Sequence, residues 1–232
     1  MEVRPYASLF PCRECGLFYE PEGQDLREVV PRTAAITTEL AVPPEVHYLA
    51  AWAFLASVEV REKRTATVVP PVSVWEHIRE VAAPRPPFLF VPAFALARMV
   101  VKQLGAVLVE AQPELDLDSG IPPEGPKRPV LVEAEGQAAQ VVERVVEQVE
   151  EVGAPPRWTV SPVLLSKKDA ETVAHFVYLA VENRATADLR GIDYDLSLTG
   201  AELLLLPAVF DRRYVRDSNW RFLLREFDGL VA

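Results

Sequence analysis

Val46–Val69, VHYLAAWAFLASVEVREKRTATVV, is the stretch on which the fold turns. Its first half is apolar and rich in aromatic and β-branched residues. From Ser57 it alternates, with Val58 and Val60 separated by Glu59. A period of two is a strand signal. The charged run Arg61–Arg64 follows, and then TATVV. The pattern predicts two strands joined by a polar turn.

Outward from this centre, strand and helix signals mix. Upstream, AVPPE at 41–45 predicts a loop, and residues 1–30 are punctuated by Pro11, Gly16, Pro21 and Gly23. Downstream, SVWEHIREVAA predicts a short helix that starts near Ser73 and ends at Pro84. RPPFLFVP opens extended, because residues before proline avoid the helical region. A helical stripe of Leu96, Met99, Val100 and Leu104 follows, and Gly105 is a candidate break before a second element over Ala106–Ala111.

Residues 113–129, PELDLDSGIPPEGPKRP, have the composition of a linker. PVLVEAEG predicts a strand. Residues 139–152 predict an amphipathic helix with Val141, Val142, Val145, Val146, Val149 and Val152 on one face. RWTVSPVLLS predicts another strand. Ser166 and Asp169 have capping-box spacing ahead of the helix KKDAETVAHFVYLAVENRA. AELLLLPAVFD predicts a strand, and RRYVRD with WRFLLREFDG predicts a terminal hairpin turning at Asp217–Asn219.

The expected fold is α+β: an N-terminal knuckle, then mixed or antiparallel sheets with about four helices. The expected domains are a knuckle at 1–30, a first half at 31–112, a linker at 113–129 and a second half at 130–232. HYLAAWAF, FLFVPAFAL and LLLLPAVFD share an apolar run leading into a bend, which suggests an internal duplication.

Composition narrows the function. The chain has 232 residues, half hydrophobic and a quarter charged, which is ordinary globular usage. No apolar run reaches the ~18 residues of a membrane span, and MEVRPYASLF lacks signal-peptide layout. A cytoplasmic protein without a membrane span is expected. The net charge of −10 disfavours nucleic acid as a partner. Nucleotide-binding glycine loops, nucleophile elbows and paired-histidine metal motifs are missing, so the chain reads away from an enzyme. Asp193 and Asp195 in DYDLS would share one face of a strand or sit in a turn, and two carboxylates there suit a divalent cation or a solvated loop.

The one chemical motif is Cys12 and Cys15 in FPCRECG. C-x-x-C supplies two thiolates from one turn, half of a tetrahedral zinc set. The other two ligands are not visible in the sequence. His47, His77 and His175 form no spaced pair, although His47, Glu14, Glu20 or Asp25 are within reason as additional ligands. Three readings stay open: a relic knuckle held by packing of Phe10, Leu17, Phe18 and Tyr19; a metal held with other residues or a partner chain; and a redox pair.

Cys12, Cys15 and Gly16, followed by YLAAW at Tyr48–Trp52, LLPAV at Leu205–Val209 and RRYV…WRFLLREFDG, resemble a loose grouping of bacterial proteins. Those proteins pair an N-terminal zinc ribbon with β-rich modules and bring no assigned activity. The resemblance covers about a third of the chain and implies zinc at Cys12 and Cys15. This chain lacks the second cysteine pair, and Ala50 stands where the first module would carry proline.

The leading expectation is a non-enzymatic protein-interaction, accessory or scaffold subunit of a larger assembly, with a protein partner or self-association into an oligomer. The alternatives are a metal- or redox-linked protein using Cys12 and Cys15, or a small-ligand binding domain. Zinc is the one cofactor expected to be compatible.

Overall fold

A computed structural model describes residues 7–12, 14–65, 74–122, 157–185, 189–211 and 219–230. Along the chain, β1 (Phe10–Cys12), β2 (Leu17–Glu22) and β3 (Asp25–Val29) form a small antiparallel sheet in the order β1-β2-β3. β4 (Pro31–Ala34) then enters a second, larger sheet.

The next strand corrects the expectation for Val46–Val69. Glu45–Thr65 is one continuous strand of 21 residues, β5, with no turn at Arg61–Arg64. The run REKR carries charge but none of the Gly, Pro, Asn or Asp that a tight turn uses. Its backbone is paired instead with Leu189–Phe210, a strand of 22 residues. The antiparallel ladder runs from His47 opposite Ala208 to Thr65 opposite Leu189, with irregularities near Ala53, Val60 and Arg64.

α1 (Val74–Ala82), β6 (Phe88–Pro92), α2 (Arg98–Ala111) and β7 (Leu117–Ser119) follow β5. After them come β8 (Arg157–Val160), α3 (Lys167–Ala185), β9 (Leu189–Phe210), β10 (Trp220–Phe222) and a 3-10 turn at Arg225–Leu230. The large sheet has the path β6-β5-β9-β4-β7, with β8 also on β5 and β10 also on β9. β4 runs parallel to β9 and β8 parallel to β5, so the sheet is mixed. Three α-helices lie among the described residues, and the fold is α+β. The strand expected at 129–136 and the valine-faced helix at 139–152 lie outside the described residues, as do residues 212–218 of the expected terminal hairpin. β10 does return antiparallel on the end of β9, Trp220 opposite Phe210.

Residues from both expected halves, 31–112 and 130–232, contribute to this one sheet through the β5–β9 pairing. Part of the expected linker is also sheet. β7 pairs antiparallel with β4, with Arg32 opposite Ser119.

α2 passes unbroken through Gly105, another correction. The glycine is there for closeness. A Cβ at this position would lie 2.8 Å from the Val177 side chain and 2.9 Å from the Phe90 carbonyl oxygen. Its absence lets α2 pack against both α3 and β6. α3 begins at the cap anticipated from sequence. The Asp169 N–H donates to Ser166 Oγ at 3.1 Å, and Ser166 Oγ–H donates back to the Asp169 carboxylate at 2.6 Å.

The core joins Leu49, Trp52, Phe54, Phe90, Leu108, Val177, Tyr178 and Leu203–Leu206, all almost fully buried. It also holds an ion pair. Lys63 Nζ on β5 lies 2.8 Å from Glu182 Oε2 on α3, with side-chain exposures of 5% and 0%. The same carboxylate accepts the Trp75 N–H of α1 at 3.2 Å. Glu182 thus ties two helices to the outer part of the long ribbon. No helix among the described residues is long and apolar enough to cross a membrane.

Candidate functional site

The cysteine pair sits at the β1–β2 turn. β1 and β2 pair with Cys12 opposite Leu17 and Phe10 opposite Tyr19. The Gly16 N–H donates to the Cys12 carbonyl at 3.0 Å and closes the knuckle. Gly16 takes a left-handed φ of 71°, a conformation that costs a residue with a Cβ about 1–2 kcal/mol. Both thiols are free; Cys12 is half-buried and Cys15 exposed.

Donors surround the Cys15 sulfur. Tyr19 Oη lies 3.5 Å from it. The Tyr19 hydroxyl, then the Cys12 thiol, then the Leu17 backbone N–H hold the Cys15 thiol below its ordinary pKa. The Tyr19 phenol moves the other way, up to about 12, chiefly because it gives its proton to that hydrogen bond. Hydrogen bonds to the charged form favour it, so this turn stabilises a thiolate. Tyr19 escapes a reading of the C-x-x-C spacing alone. Its signal is pleat alternation, which puts residue 19 on the same side of β2 as residue 17.

The same alternation corrects the expected packing of this segment. Phe18 is fully buried and Leu9 beside it is fully buried. Phe10, Leu17 and Tyr19 belong to the opposite side of the small sheet and stand outside the main hydrophobic core. Leu26, opposite Pro21, extends that outer side and is 55% exposed. The knuckle is therefore held from behind. Leu9 bridges to Val163. The Gly16 carbonyl accepts the Ile121 N–H at 3.0 Å. Buried Glu20 accepts the Lys167 N–H at the start of α3 at 3.2 Å and binds Arg27.

The histidines and acids weighed as additional ligands are placed elsewhere. His47 Nδ1 is 2.7 Å from Thr159 Oγ1, and its ring packs edge-on to Trp220. His175 Nδ1 is 3.1 Å from Tyr194 Oη, and His77 is exposed on α1. Among the described residues no three His, Cys, Asp or Glu side chains converge as a metal would require. Glu14 and Asp25, like Glu20, join no such group. Among the described residues, Cys12 and Cys15 lie together at the turn with no third such ligand beside them. Asp193 and Asp195 do share one face of a strand, and both contact Arg61.

A cleft of about 370 Å³ opens between the small sheet and the large one. Trp52 and Leu203 line it, with Arg27, Arg32, Lys167 and Glu202. Its cations are paired within the chain: Arg27 with Glu20, Arg32 with Glu202 at 3.7 Å, and Lys167 with Glu171 at 3.7 Å; Glu28 also lines it. The Trp52 indole N–H is taken by the Leu165 carbonyl at 3.0 Å.

Comparison with family models, with curated proteins and with solved structures returned no match to the chain.

Proposed function

We propose that this chain is a non-enzymatic interaction protein, an accessory or scaffold subunit that works by binding another protein surface. The observation that carries the reading is the outer side of the small sheet. Phe10, Leu17 and Tyr19 lie there half-buried outside the main core, beside Leu26, which is 55% exposed, with the exposed Glu28 opposite Tyr19. Contiguous exposed apolar surface marks interaction sites, and aromatic residues are enriched in them. The cleft supports the same reading, because its cations are held in internal pairs. Light scattering after size-exclusion chromatography tests it. The wild-type chain should run above its 25.8 kDa monomer mass, and Leu26→Asp should return it to monomer with an unchanged melting temperature. A wild-type monomer that forms no complex at any concentration would refute it.

A second reading has its own observation. Cys12 and Cys15 are free, and Cys15 is exposed among proton donors, which favours a metal- or redox-linked role for the pair. Elemental analysis of purified protein tests the metal branch. A stoichiometric metal should disappear in Cys12→Ser.

A further inference from the structure

The two thiols of the knuckle are unequal, and the inequality gives each a role. Cys15 lies in the β1–β2 turn itself and is exposed, whereas Cys12 closes β1 and is half-buried. Both belong to one turn of chain, closed by the Gly16 N–H on the Cys12 carbonyl at 3.0 Å. The Cys12 thiol is one of the donors to the Cys15 sulfur, so the two sulfurs face each other. The Tyr19 hydroxyl also reaches the Cys15 sulfur, at 3.5 Å. Behind the thiols the turn is tied down. The Gly16 carbonyl accepts the Ile121 N–H at 3.0 Å, and Leu9 and Phe18 are fully buried.

Thiol–disulfide exchange asks for such a pair. The attacking sulfur must be accessible, and the resolving sulfur must stand close to it. A resolving thiol in the same turn acts at an effective concentration that no free thiol reaches. Cys15 lies outside the 370 Å³ cleft, so the target has to come to the exposed turn. We propose that Cys12 and Cys15 are a dithiol that reduces solvent-accessible disulfides, with Cys15 as the attacking sulfur and Cys12 as the resolving one.

The proposal rests on the redox branch of the reading of this pair and is independent of the interaction reading. In the first step the Cys15 thiolate attacks one sulfur of the target disulfide. The bond from Cys15 to that sulfur forms, the target S–S bond breaks, and the other target sulfur leaves as a thiolate. Cys12, after giving its proton to solvent, then attacks the Cys15 sulfur and expels the first target sulfur. Each expelled sulfur takes up a proton. The target has gained two electrons and two protons, and the chain holds a Cys12–Cys15 disulfide. A dithiol reductant reverses the change and returns both thiols.

The test uses the full chain, reduced, freed of metal with a chelator and then freed of reductant. Hydroxyethyl disulfide, a small uncharged disulfide, is the probe, and mass spectrometry after an acid quench reads the products. The wild type should end two hydrogens lighter with no adduct, having released two molecules of mercaptoethanol, and dithiothreitol should restore it. Cys12→Ser should stop at one mercaptoethanol adduct, mapped to Cys15. Cys15→Ser should carry no adduct in the time in which Cys12→Ser is fully labelled. Early quenching of the wild type adds a readout that needs no variant: the transient adduct should sit on Cys15. Equally fast labelling in the two variants, or a wild type that ends as a stable mixed disulfide, would overturn the assigned roles and leave the redox reading intact. A wild type whose thiols both stay unreacted would overturn the redox reading with them.

Discussion

Lys63 and Glu182 offer a sharp test of how the long ribbon is held. Lys63 stands in the charged run of β5, two residues beyond Arg61, yet its side chain is 5% exposed against 53% for Arg61. Arg61 meets Asp193 and Asp195 in water, whereas Lys63 meets a fully buried Glu182 at 2.8 Å. The two neighbours should therefore answer truncation very differently. Exposed pairs are worth about 0–1 kcal/mol, so Arg61→Ala should scarcely change stability. Removing one partner of a buried pair costs about 3–5 kcal/mol, because the other charge stays buried. Lys63→Met or Glu182→Leu should each cost that much. In a domain of this size, 1 kcal/mol moves Tm by about 2–4 °C, so each variant should melt about 6–20 °C lower. The double variant Lys63→Met, Glu182→Leu removes both charges. It leaves the Trp75 N–H without the acceptor it now has at 3.2 Å, a loss of about 1–3 kcal/mol. It should thus be more stable than either single variant. Guanidinium titrations of the four proteins supply the cycle. A double loss equal to the sum of the single losses, or a Lys63→Met loss no larger than that of Arg61→Ala, would refute the reasoning.

Three further outcomes follow from the same geometry. Gly105→Ala gains about 1 kcal/mol of helix propensity, but its Cβ would sit 2.9 Å from the Phe90 carbonyl oxygen and 2.8 Å from Val177. Overpacking costs about 1–3 kcal/mol, so the variant should be destabilised in a thermal melt, and a higher Tm would contradict the close approach. Tyr19→Phe removes the first of the donors that lower the Cys15 pKa. In metal-free reduced protein, the pH midpoint for Cys15 alkylation should move up, since the thiolate then needs a higher pH to form. An unchanged midpoint would show that Tyr19 does not stabilise it. Glu20→Gln keeps an acceptor for the Lys167 N–H while it weakens the tie to Arg27, whereas Glu20→Ala loses both. Limited proteolysis should cut the N-terminal sheet of Glu20→Ala faster than that of Glu20→Gln, and equal rates would remove Glu20 from the docking of that sheet.

Much of the local structure was legible in the residues. α3 starts at its Ser166–Asp169 cap and ends where the sequence pattern ends, because capping and propensity act within a few residues. The extended course of β6 follows from its prolines. The C-x-x-C-G turn likewise forms as its own residues dictate. REKR was not legible. Charge is a good sign of solvent and a poor sign of a turn, and only the arrival of β9 decides that residues 61–64 stay extended. Gly105 shows the same limit. A glycine in a helical stripe looks like a break until Val177 and the Phe90 carbonyl occupy the space where its Cβ would be.

By itself, the sequence determined the helices over Val74–Ala82 and Lys167–Ala185, the cap of the latter, the pair of thiols and the total of cysteines and histidines. Each of these depends on the residue itself or on neighbours a few positions away. Only the tertiary structure decided that β5 runs unbroken to Thr65, that Lys63 is buried while Arg61 is not, and that Tyr19 stands beside Cys15 on the open side of the small sheet. Those outcomes depend on what packs or pairs from far along the chain. Long-range pairing fixes which face of each strand meets the core.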